Sequence, residues 1–121
     1  MLKTRRNKFG KTMRLTRARE FDRVFAAGRR FKLKGLTILR ADNDLDHPRL
    51  GISIGRAFGN APERNRMKRM LREAFRLLQH DLPAGDFVCV PFRKAIELSL
   101  HDLKLLFGKA CDDTRSMAKD E

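Results

Sequence analysis

The sequence predicts a single α+β sandwich, one sheet partly covered by helices. Three observations lead there. The chain is 121 residues long, enough for one core. Three segments carry apolar residues at three- and four-residue spacing. The stretches between them carry apolar–polar alternation or short continuous apolar runs bounded by Gly and Pro.

The first helix is expected over Leu15–Ala27, capped by Thr16 and stopped by Gly28, with Ala18, Phe21, Val24 and Phe25 as its apolar stripe. A strand region follows. Phe31 and Leu33 alternate with Lys32 and Lys34, and after Gly35 the phase shifts so that Leu36 and Ile38 alternate with Thr37 and Leu39; a glycine at a phase shift reads as a bulge or bend. Residues 42–48 read as a loop. A second strand is expected over Arg49–Gly55, with Leu50, Ile52 and Ile54 facing the core and Gly51, Ser53 and Gly55 leaving the other face nearly bare, open to something lying on the backbone.

The second helix has the strongest signals. Asn60 and Glu63 have capping-box spacing, Pro62 sits in the first turn, and Pro83 with Gly85 ends the segment near His80. A third strand over Asp86–Phe92 contains the apolar run Phe87–Val90, so burial on both faces is expected. The last helix starts near Ser99, with Asp102 three residues on and Leu103, Phe107 and Ala110 as its stripe. The order is αββαβα-like. Residues 1–13 read as a basic flexible arm, 14–111 as the folded domain and 112–121 as a polar C-terminal tail.

Charge narrows the function. There are 28 Lys plus Arg against 15 Asp plus Glu, a formal net charge of +13, and the pI is about 10.9. So large an excess on a small domain repels itself unless a polyanion lies against it, and nucleic acid is the first candidate. A membrane surface is the weaker one. No lipidation motif is found, no segment approaches the ~18 consecutive apolar residues of a span, and the basic N-terminus lacks the apolar stretch of a signal peptide. The expectation is a cytoplasmic protein with no membrane role. Cys89 and Cys111 are too few and too far apart for a CxxC site and read as buried or half-buried thiols.

On a helical wheel of the second helix, Met67, Met70, Leu71, Ala74, Phe75, Leu77 and Leu78 fall in one half. Arg64, Asn65, Lys68, Arg69, Arg72 and Arg76 fall in the other, with Arg66 near the border. Arg64, Lys68, Arg72 and Arg76 stack like charges at i,i+4, each pair costing a few tenths of a kcal/mol. A row of phosphates would reverse that sign. The bland alternative is a solvated basic face. Phe21 and Phe25 are open to two readings: core residues, as most Phe stripes are, or a platform for an unpaired nucleotide.

A catalytic centre within the protein is not visible. Asp42, Asp44 and Asp46 alternate, but the sixth and twelfth positions of a calcium loop hold His47 and Ser53, so the segment reads as a solvated acidic loop. His47, His80 and His101 have no metal-ligand spacing, and no nucleophile elbow or phosphate loop occurs. No metal or cofactor is expected on the protein itself.

The stretch Asn60-Ala-Pro-Glu-Arg-Asn-Arg-Met-Lys-Arg-Met-Leu-Arg-Glu-Ala-Phe75 resembles the RNR signature of the bacterial ribonuclease P protein family: Arg64-Asn65, Lys68-Arg69 and Arg72-Glu73 fall at the signature positions. Arg14-Leu15, Phe21, Val24-Phe25 and Gly28 resemble that family's first helix, and Arg49–Ile54 after His47-Pro48 its central strand. The resemblance spans residues 14–111. It implies an α/β sandwich with a left-handed βαβ crossover and a protein subunit that assists a catalytic RNA without doing the chemistry. It implies that the RNA subunit removes the 5′ leader of precursor tRNA with magnesium, which the holoenzyme requires. Partners would be ribonuclease P RNA and precursor tRNA, with no obligate protein partner. Arg64, Asn65, Arg66, Lys68, Arg69 and Arg72 would face the catalytic RNA. Phe21 and Phe25, with Ser53, Arg56 and Arg14, would line the cleft for the single-stranded leader. Where the family carries two lysines after the central strand, this chain has Arg56-Ala57, one charge kept and one lost. The rival readings are a structural RNA-binding protein of ribosomal or chaperone-like type, and a nuclease in its own right.

Overall fold

The computed structural model describes residues 13–120, with side chains through Cys111. The basic arm assigned to 1–13 lies, but for Met13, outside the described residues. The element order is α1 (Ala18–Ala27), β1 (Arg29–Leu33), β2 (Leu36–Ala41), β3 (Pro48–Ile52), α2 (Ala61–Leu78), β4 (Gly85–Pro91) and α3 (Leu100–Asp120), with 3-10 turns at Arg56–Phe58 and Arg93–Glu97. α3 thus runs on through 112–120. The sheet order is β1-β2-β4-β3, antiparallel except for the β3–β4 pair, which is parallel and connected through α2.

Three local readings change. The phase shift at Gly35 is a reversal, not a bulge. Lys34 (φ 49°) and Gly35 (φ 85°) form a two-residue turn, and Phe31 pairs with Ile38 and Leu33 with Leu36. Two successive residues at positive φ match the twist of a hairpin, and this puts all four apolar side chains on one face. The order is therefore αβββαβα.

α1 begins at Ala18, after Arg17. The residue that closes its first turn is Glu20, whose Oε1 accepts the backbone N–H groups of Thr16 (3.0 Å) and Arg17 (3.1 Å). Leu15 is drawn instead to the outer edge of β3, its N–H donating to the Leu50 carbonyl at 2.9 Å. β3 itself ends at Ile52, although the Ser53 N–H still donates to the Cys89 carbonyl.

The third change concerns the bare face. A Cβ built on Gly51 would lie 2.7 and 2.8 Å from Cε1 and Cζ of Phe21 and 3.0 Å from the Leu15 Cβ. The space over Gly51 belongs to the chain's own Phe21. Of the two glycines on that face, Gly55 alone stands open, with nothing within 4 Å of its would-be Cβ.

The sheet is covered on both faces except at β1, where Arg30 and Lys32 stay exposed. α2 and α3 cover one, where Phe75 meets Phe87 and Phe107 edge-on with ring centroids 6.4 and 6.3 Å apart. α1 covers the other through Leu15, Val24, Leu39, Ala41 and Val88. β4 lies between the layers, and Phe87, Val88 and Cys89 are all buried, as its apolar run predicts. Cys89 is a fully buried thiol pushed far up by burial, and Cys111 is half-buried. Among the described residues no helix is long and apolar enough to cross a membrane.

Candidate nucleic-acid interface

α2 presents its charges because its other face is fixed. Asn60 accepts the Glu63 N–H at 2.9 Å, Glu63 accepts the Asn60 N–H at 2.9 Å, and Pro62 lies in the first turn. Met67, Leu71, Ala74 and Phe75 are buried against the sheet. The rotation of the helix is then set, and Asn65, Arg66, Arg69 and Arg72 come out exposed, with Lys68 half-buried.

The arginines are not equivalent. Arg64 is half-buried and turns back to donate Nη1 to the Gly59 carbonyl at 2.6 Å, closing the first turn of its own helix. Arg76 donates Nε and Nη2 to Glu73 at 3.0 and 2.5 Å, and that contact holds the Glu73 carboxyl below its usual range. The i,i+4 ladder is therefore relieved at both ends. Arg66, Lys68, Arg69 and Arg72 make no ion pair among the described residues, and this is the stretch where uncompensated charge is concentrated.

The stripe meets α1 at Arg72. A cavity of about 180 Å³ is lined by Arg72, Arg14, Thr16, Phe21, Gly51 and Ile52, so two arginines from separate elements flank one aromatic edge. One turn along α1, Phe25 opens onto a second groove of about 470 Å³ under the β1–β2 hairpin. Arg30, Lys32, Lys34 and Lys94 rim it, and Phe92, 55% exposed, forms the opposite wall. Phe21 and Phe25 are both half-buried, so each is at once a core contact and an accessible ring. An electropositive groove with aromatic walls suits an unpaired polynucleotide: cations track phosphates and rings stack on bases regardless of sequence.

Ser53 and Arg56 do not line either cavity; Ser53 is half-buried beyond β3, and Arg56 is exposed at the start of the following 3-10 turn beside exposed Ala57. The sequence reading left out Lys32, Lys34, Phe92 and Lys94. The alternation of Lys32 with buried Phe31 was the available signal, since it directs that lysine away from the main core.

Asp42, Asp44 and Asp46 are exposed, in keeping with a solvated loop. Among the described residues no three of His, Cys, Asp and Glu converge into a cation site. Among the described residues the fully buried acid is Asp86, which accepts from Arg49 Nε (2.8 Å) and Nη2 (2.9 Å), from Asn43 Nδ2 (2.9 Å) and from Arg23 Nη2.

A family model described as Ribonuclease P matches residues 9–114. The chain is 44% identical over 102 residues to the ribonuclease P protein component of Photobacterium profundum, covering 84% of this chain and 86% of that one. It is 42% identical, over 84% of this chain and 86% of the other, to that of Proteus mirabilis. Among solved structures, the RNase P protein from Thermotoga maritima superposes with a TM-score of 0.73 at 30% identity, over 81% of this chain and 94% of that one. The Staphylococcus aureus RNase P protein gives 0.74 at 24% identity, over 87% and 96%, a likeness of fold.

Proposed function

The chain belongs to the ribonuclease P protein family, and from that membership we propose that it is the RNA-binding subunit of a ribozyme that removes the 5′ leader of precursor tRNA. The observation that carries this reading is the junction at Arg72. There the exposed arginines of α2, with half-buried Lys68 among them, run into the aromatic cleft between α1 and the sheet.

The two surfaces suit two polyanions. Asn65, Arg66, Lys68, Arg69 and Arg72 would contact ribonuclease P RNA, with Arg64 acting from its seat on Gly59. The single-stranded leader would follow the cleft, stacking on Phe21 and Phe25 with phosphates against Arg14 and the hairpin lysines. Arg56, exposed next to Gly55, would meet the leader where it leaves the cleft. The protein's contribution is electrostatic: its net charge of +13 offsets repulsion between enzyme RNA and substrate RNA that would otherwise oppose the complex. Partial neutralisation lowers the concentration of free divalent cation needed to fold and load the assembly.

Among the described residues the side chains do not fit a magnesium ion. The oxygens of Asp86 are engaged by two arginines and an amide, and the loop aspartates are solvated. We assign the holoenzyme's magnesium, and with it the hydrolytic chemistry, to the RNA partner. The site of action would be the cytoplasm, with no second protein required.

The test is cleavage of 5′-labelled precursor tRNA at low magnesium by bacterial ribonuclease P RNA, with and without this protein. Cleavage at the mature 5′ end restored by the protein is the expected result. Tight RNA binding with no effect on cleavage would favour a structural RNA-binding protein. Cleavage by the protein alone would favour a nuclease.

A further inference from the structure

The sheet is unevenly covered. Among the described residues, seventeen buried ones form the core on the α2–α3 side and five form it on the α1 side. Val24 is the one residue of α1 that is buried; Phe21 and Phe25 are partly so. A ten-residue helix on so thin an apolar seat needs another tether to keep one pose.

Asp86 supplies it. The carboxylate is 0% exposed, on β4 beneath α1. Arg23 of α1 donates to Oδ2, and its Nη1 goes on to the Asp42 carbonyl at 2.7 Å. Arg49 of β3 grips both carboxylate oxygens and reaches Glu20 of α1 at 3.3 Å. Asn43 donates to Oδ1, to the His47 carbonyl at 3.2 Å, and accepts the Leu45 N–H at 2.9 Å. One buried acid therefore joins α1, the 42–47 loop, β3 and β4. Forked arginine contacts fix direction as well as distance, so the network defines where α1 sits rather than merely attaching it. Along the helix axis Arg23 lies between Phe21 and Phe25 but about 160° around it from each, so the tether acts on the two rings through the pose of the helix and not by contact.

We infer that Asp86 is a positioning residue for the single-stranded RNA cleft: through Arg23 and Arg49 it holds α1 in the pose that keeps the Phe21 ring over Gly51 and the Phe25 ring at the mouth of the cationic groove. It touches no substrate itself. The inference rests on the leader-binding reading above.

The experiment uses holoenzyme reconstituted with bacterial ribonuclease P RNA and measures affinity for precursor tRNA bearing a leader of about five nucleotides, and for leaderless tRNA. Arg23→Gln is the primary variant, because it leaves Asp86 bonded to Arg49 and Asn43 and so preserves a compensated buried charge. Asp86→Asn, with its fold verified by circular dichroism, is the second. Both should weaken binding of the leader-bearing substrate by about tenfold, the loss of one charge-assisted contact. Affinity for leaderless tRNA and for the RNA subunit should be unchanged. In a Phe21→Ala, Phe25→Ala background, Arg23→Gln should add no further loss, because both rings through which it acts are gone. Equal loss on both substrates, or a fully additive loss in that background, overturns the inference. If the Phe21→Ala, Phe25→Ala protein itself binds the two substrates with the wild-type ratio, the leader reading fails and the inference goes with it, a result distinct from failure of Asp86 alone.

Discussion

The Phe21 ring occupies the place where a side chain on residue 51 would stand: Cε1 and Cζ lie 2.7 and 2.8 Å from the position of a Gly51 Cβ. A methyl group at this position would have to displace the Phe21 ring from its seat on the strand, toward the cavity that the ring shares with Arg14 and Arg72. Gly51→Ala should therefore cost about 1–3 kcal/mol, the usual penalty for overpacking, seen as a lower urea midpoint. It should also tilt α1 and diminish preference for leader-bearing over leaderless tRNA. A neutral result would mean that the ring is mobile enough to make no defined platform.

Phe25 has the more open setting, between the groove under the hairpin and the α1-side core. Phe25→Ala should reduce affinity for a leader-bearing substrate by about 1–3 kcal/mol, the value of one base stacked on an aromatic. Phe25→Leu, which keeps the apolar volume, should retain stability and still lose most of that increment. Filter-binding titrations on the two variants, alongside denaturant unfolding, separate a stacking surface from a core residue: full binding by the leucine variant identifies core.

How much of this could be read from the chain depends on the range of the interactions concerned. Asn60, Pro62 and Glu63 specify the start of α2 within four residues, and Ser99 with Asp102 does the same for α3, where the Asp102 N–H donates to Ser99 Oγ at 3.1 Å. The charged face of α2 follows from periodicity alone. What failed needed a partner distant in sequence. Leu15 reads as helix because nothing local reveals that Leu50 will accept its N–H. Gly51 reads as open backbone because Phe21, which fills the space, is thirty positions away in the chain. Lys34 at φ 49° carries no local signal for a hairpin turn; Asn or Gly would have. Asp86 sits beside an apolar run, and its buried role appears only with Arg23, Asn43 and Arg49 around it.

The arginines of α2 divide into two kinds with separable consequences. Arg66 is exposed and makes no ion pair among the described residues, whereas Arg64 bonds the Gly59 carbonyl at 2.6 Å. Arg66→Ala should lower the slope of log K against log salt for RNA binding by about one unit, with thermal stability unchanged. Arg64→Ala should lower stability as well, by about 0.5–1.5 kcal/mol for the lost hydrogen bond at the helix start. An unchanged slope for Arg66→Ala would reduce that position to a solvated charge.

Acid should loosen the α1 side of the sheet first. Burial pushes the Asp86 carboxyl up, but hydrogen bonds from Arg49 and Asn43 and the charges of Arg49 and Arg23 outweigh it and leave the group below its ordinary 3.8. Glu20 is lowered too, by the Arg17 and Thr16 backbone N–H groups and Arg49 against a smaller effect of burial. A carboxyl with a depressed folded-state pKa binds protons more readily when the chain is unfolded. Its stabilisation is thus fully present above the unfolded value and is lost as pH falls below it through the folded one. The urea midpoint should hold down to about pH 5 and then decline steeply below 3.8. Asp86→Asn should start from a lower midpoint and show a shallower decline, because the titrating group is gone while Arg23 and Arg49 keep their charge. Parallel curves for the two proteins would mean that other carboxyls, such as Glu63 and Asp102 in their capping boxes, carry the acid sensitivity. Monitoring Phe21 and Phe25 by aromatic NMR through the same titration identifies the side that opens: their resonances should shift before that of Phe75, which lies at the centre of the α2–α3 core.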